Sequence, residues 1–109
     1  MAMNSVPVDN RSWIGSMVVQ VDHRVDDAGE QIRDEHHNFV MSVHTLVIEK
    51  DAQPQIIKVK VAVADPATAI SLVNKAPLFE NLRARAWALN GRSGLSFSAA
   101  TVASGKATA

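Results

Sequence analysis

Apolar and polar side chains alternate with a period of two through most of this chain, which restricts it to a fold built from strands. The pattern is cleanest over 57–63, where Ile57, Val59, Val61 and Val63 share one parity while Lys58 and Lys60 take the other. A strand written this way buries one face and wets the other, and here the wet face is basic. Trp13 to Val25 alternates in the same manner, with Trp13, Met17, Val19, Val21 and Val25 against Ser16, Gln20, Asp22 and Arg24. Phe39 to Glu49 is apolar on both parities, Phe39, Met41, Val43 and Val47 on one side and Val40, Leu46 and Ile48 on the other. Both faces of that strand therefore need cover.

Between these segments lie an acidic stretch, Asp26 to Asn38, whose one large aliphatic residue is Ile32, and a turn at Lys50-Asp51-Ala52-Gln53-Pro54. The first reads as a long exposed hairpin loop. Asp65-Pro66 is a helix start, because aspartate caps free N–H groups and proline at the first helical position lacks only a donor that would be unpaired anyway. Ile70 and Val73 lie one turn apart and Pro77 forbids continuation, so a helix of two to three turns is expected. Leu78 to Leu89 alternates again, Asn90-Gly91-Arg92-Ser93-Gly94 reads as a hairpin loop, and Leu95 to Val102 is the closing strand.

The order is thus β-β-β-α-β-β, with one short helix between the third and fourth strands. This predicts a mostly β domain over 13–102, a five-stranded OB-type Greek-key barrel, flanked by a flexible leader at 1–12 and a flexible tail at 103–109. At 109 residues the chain has room for one core. Its composition, 47% hydrophobic and 20% charged, is that of a folded protein.

The absence of cysteine removes disulfides, thiolate metal sites and cysteine nucleophiles. No signal peptide or membrane-length apolar run is visible, so a cytoplasmic location is expected. Asp34-Glu35-His36-His37 and His44 raise the question of a metal, but adjacent histidines in extended chain point apart, and no metal or other cofactor is expected. His23 and His44 lie within strands and read as barrel residues. Ser93, Ser96 and Ser98 lack a nucleophile elbow or a positioned His-Asp pair, and no phosphate-binding glycine loop is present, so no enzyme activity is expected.

The net charge of zero conceals an asymmetry: residues 1–53 carry four Lys/Arg against nine Asp/Glu, and residues 54–109 carry seven against two. Within the basic half, alternation puts Arg83, Arg85 and Trp87 on one strand face. Guanidinium groups beside an indole suit single-stranded nucleic acid, which offers phosphates to the cations and a base to the ring. Lys58 and Lys60 supply a second basic strand face, and Arg92 sits in the adjoining loop. The segment from Asn81 through Leu82-Arg83-Ala84-Arg85-Ala86-Trp87 to Val102 resembles the closing hairpin of bacterial single-stranded DNA-binding proteins and of the primosomal replication protein B family. The resemblance covers residues 65–102, with strand order alone matching over 13–63. It implies single-stranded DNA or RNA binding with little sequence preference. The chain ends Gly105-Lys106-Ala107-Thr108-Ala109, unlike the acidic, phenylalanine-tipped tail typical of those proteins, and holds only five aromatic residues, so the expected site is short. The doubly apolar second strand suggests a homodimer. The alternative is a protein-interaction or scaffolding barrel, an accessory to replication or to a mobile element.

Overall fold

The structure, a computed structural model, describes residues 6–8 and 13–104. Eight strands and one helix follow in the order β1 (Val6–Pro7), β2 (Trp13–His23), β3 (Phe39–Glu49), β4 (Gln55–Val63), α1 (Pro66–Ile70), β5 (Pro77–Glu80), β6 (Arg83–Leu89), β7 (Arg92–Ser98) and β8 (Thr101–Ser104). Six strands form one mixed sheet in the order β1-β6-β7-β4-β3-β2, and β5 pairs with β8 in a separate ribbon. All pairings are antiparallel except β4 with β7, which run parallel and meet only at Val59↔Phe97 and Lys60↔Ser98.

The mostly β fold agrees with the alternation, whereas the five-stranded OB-type Greek-key barrel needs correction. The sheet is open, with β1 and β2 as its edges. Three extra strands come from segments read otherwise. Val6–Pro7, inside the expected leader, pairs with Ala84 and Arg83 at the edge of β6. The segment read as one strand from Leu78 to Leu89 breaks at Asn81, which takes a left-handed φ of 54° and switches the inward parity from Pro77 and Phe79 to Leu82 and Ala84. The last segment likewise divides into β7 and β8, so that Ala103 and Ser104 belong to a strand rather than to the tail. Of the leader and tail, residues 1–5, 9–12 and 105–109 lie outside the described residues.

The helix is shorter than expected. Asp65 caps it by accepting from the Ala67 N–H at 3.0 Å, but the helix spans five residues and dissolves into turns over 71–74. Those turns return to the sheet: the Val18 N–H donates to the Lys75 carbonyl and the Asn74 N–H to the Val18 carbonyl. They thereby cover the outer edge of β2 at its midpoint, where the register with β3 shifts.

The core lies between the inner face of the sheet, the residues around α1 and the β5–β8 ribbon. Val18, Val43, Val59, Val61, Leu72, Phe79, Leu82 and Val102 pack there, each 9% exposed or less. Burial of a side chain such as Val59 or Leu72 contributes about 1.5–3 kcal/mol, so this alternation is the chief stabilising element of the sheet. Among the described residues Thr45 is the one polar side chain fully buried with them, and its hydroxyl donates to the Val43 carbonyl at 3.4 Å.

Candidate nucleic-acid interface

Register decides which side chains share the outer face. Lys60 pairs with Ser98 and Ser98 with Arg83, so a single row crosses β4, β7 and β6. Arg85 pairs with Ser96, Trp87 with Gly94 and Leu89 with Arg92, all with the same parity as Arg83 and Ser98. Lys58 follows Lys60 by two positions along β4 and is exposed on the same side. Lys58, Lys60, Arg83, Arg85, Trp87 and Arg92 therefore belong to one face of one continuous sheet, with Lys60 and Arg83 about 10 Å apart across two strand spacings. Arg83 is half-buried and the other five are exposed. Arg92 is in β7 rather than in a loop, because the turn needs only Asn90 and Gly91, with φ of 52° and 78°.

Trp87 packs across its own hairpin. A Cβ added to Gly94 would sit 2.9 Å from the indole Cζ2, so glycine opposite the ring lets the indole lie down on the strand. With one side set on Gly94, the side chain remains 41% exposed. The outcome is a planar aromatic surface held in place beside Arg85, the geometry a stacked base requires.

Beyond β4 the same face turns polar, then acidic. His44 stands opposite Lys58 on one side and Gln20 on the other, and its Nε2 lies 3.0 Å from Oδ2 of Asp22, which also accepts from the Gln20 amide at 2.7 Å. His23 sits edge-on to Phe39, and its buried Nδ1 has no hydrogen-bond partner among the described residues.

The acidic loop is more ordered than its composition indicates. Bridges Val25↔Gln31 and Arg33↔Phe39 and the bonds from Ile32 N–H to the Arg24 carbonyl and from Val40 N–H to the Ile32 carbonyl fold it into a small three-limbed arm. Two turns of one design close its limbs. Asp26 Oδ1 accepts from the Ala28 and Glu30 N–H groups, and Asp34 Oδ1 accepts from those of His36 and Asn38. The fourth residue of each turn is left-handed, Gly29 at φ 83° and His37 at φ 65°. The Asn38 N–H lowers the pKa of the Asp34 carboxyl, against opposing desolvation and with further help from the His36 N–H. The arm meets the basic face at a hollow of about 340 Å³ that Ile32, Asp34 and Val40 share with Lys60 and Ser98.

A second hollow, of about 690 Å³, opens where β4 and β7 diverge, with Trp13, Ile57, Lys58, Leu95 and Phe97 among its lining. The contributions of Trp13 and Phe97 were not legible from spacing, since the gap arises from strands that pair at only two positions. Arg24 lines both hollows and was likewise missed, reading in sequence as one more polar residue of its strand. No helix among the described residues is long and apolar enough to cross a membrane. Compared with protein-family models, with curated proteins and with solved structures, the chain matches none.

Proposed function

We propose that this protein binds single-stranded nucleic acid, most readily DNA, with little sequence preference and without catalysis, on the outer face of β4, β7 and β6. The observation that carries the reading is the register: Lys60, Ser98 and Arg83 form one row, with Lys58, Arg85 and Trp87 beside it. Cations at this spacing neutralise successive phosphates, and an indole seated on Gly94 offers a base a surface worth about 1–3 kcal/mol. Under this reading the fold is an OB-type barrel left open, its β2-β3-β4 meander joined through the parallel β4–β7 contact to the β6–β7 hairpin.

Two variants test the interface. Trp87→Ala with Arg83→Glu and Arg85→Glu abolishes binding to oligo-dT under this proposal. Because Arg83 is half-buried, Lys58→Glu with Lys60→Glu gives the same test on exposed positions alone. Oligonucleotide affinity unchanged in the lysine variant, with circular dichroism like that of the parent, overturns the interface. A homodimer belongs to the same proposal. Met17, Leu46 and Ile56 stand in register across β2, β3 and β4, with Met17 and Ile56 exposed. Light scattering on the purified chain reads its mass directly.

A further inference from the structure

We propose that the cleft between the diverging halves of β4 and β7 receives one unstacked base of the bound strand, next to the base stacked on Trp87; this rests on the interface proposed above. Below Val59↔Phe97 the two strands make no ladder, and the space between them is a cleft of about 690 Å³. That is the size of sites that take small planar ligands, which are mainly apolar with a few polar groups. Its walls fit the description: Trp13 and Phe97 supply aromatic rings, Ile57 and Leu95 aliphatic surface, and Gln55 and Ser96 neutral hydrogen-bonding groups.

Continuity and charge select the occupant. Leu95 and Ser96 directly follow Gly94, the residue under the Trp87 ring, and Ser96 pairs with Arg85. Ser96 shares the face of Trp87, whereas Leu95 and Phe97 have the opposite parity and Trp13, Ile57 and Phe97 pack against the core, so the cleft opens beside the stacking surface and runs through the sheet toward its inner side. Lys58 and Arg24 also line it, together with the carboxylate of Glu49, so the charged groups of the lining are two cations against one anion and a base entering the cleft can bring its phosphate to a cation. Leu95 is 60% exposed at the cleft, apolar surface that a base would cover. Three of the five aromatic residues of the chain then serve the ligand, Trp13, Trp87 and Phe97, which suits a site of two neighbouring bases.

The two tryptophans report separately. Trp87→Phe leaves Trp13 as the sole indole and Trp13→Phe leaves Trp87; where the second variant folds poorly, the signal of Trp87 is the difference between the parent and Trp87→Phe. Saturating oligo-dT quenches both indoles under this proposal. A thymine oligomer no longer than the bound site, with one abasic position moved along it, weakens roughly tenfold at two adjacent positions, and Trp87→Ala removes one of the two. Quenching of Trp87 with Trp13 unmoved, or quenching of Trp13 by a fully abasic oligomer, overturns the base-in-cleft proposal while leaving the interface standing. No rise in polarisation with any oligomer overturns both.

Discussion

Single residues carry two devices that can be probed without reference to any ligand. The turns at Asp26 and Asp34 share one hydrogen-bond design, but glycine occupies the left-handed position in the first and His37 in the second. Left-handed backbone costs a side-chain-bearing residue about 1 kcal/mol. His37→Gly should therefore raise the urea midpoint, by up to about 1 kcal/mol in stability, and Gly29→Ala should lower it by a similar amount, since nothing lies within 4 Å of the added methyl. Asp34 gives a pH dependence with a definite sign. Its carboxyl is lowered by the Asn38 N–H, so its contribution to stability is present above the ordinary aspartate pKa and is lost as pH falls through the depressed folded value. Asp34→Ala should thus be less stable than the parent at neutral pH, and the gap between their urea midpoints should narrow in acid. At Gly94 the expected effect is on binding: Gly94→Ala sets a methyl 2.9 Å from the Trp87 ring, tilting the indole off the strand. Tryptophan emission should shift and oligo-dT affinity should fall while the urea midpoint changes little.

At the scale of elements, the sequence was read best where alternation is strict. β4 carries Val59 and Val61 inward and Lys58 and Lys60 outward, as the parity of its residues requires, and Asn90-Gly91 makes the tight turn its chemistry favours. What misled was a change of parity. Pro77 and Phe79 point inward and so do Leu82 and Ala84, a shift from odd to even positions that marks a break at Asn81, yet Leu78 to Leu89 reads as one strand if only its second half is matched. The acidic arm reads as loop in the sequence because its order comes from aspartate side chains bonding local N–H groups, which leaves no hydrophobic period to detect. Five of the six candidate residues are legible as two strand faces, with Arg92 expected in the loop, but their union into one face depends on the parallel Lys60↔Ser98 contact, which no local pattern encodes. Thr45 tests the core side of the same sheet. Its long bond to the Val43 carbonyl contributes little, so Thr45→Val should leave thermal stability equal or raise it by up to about 1 kcal/mol.

For the molecule as a whole, the basic surface of β4, β7 and β6 and the acidic arm give spatial form to the charge asymmetry between the two halves of the chain. A strand laid across the sheet from Trp87 meets cations as far as Lys58 and Lys60, then the Asp22–His44 pair, so the favourable path is short. If this face neutralises phosphates, as proposed, the fluorescence-polarisation affinity of the intact protein for oligo-dT falls as salt concentration rises. The five cations of the face, at about 0.7 per phosphate on a single strand, predict a log–log slope as steep as about −3.5. Absence of binding even at low salt, or a binding constant indifferent to salt, would contradict phosphate binding on this face and favour a β domain whose partner is another protein.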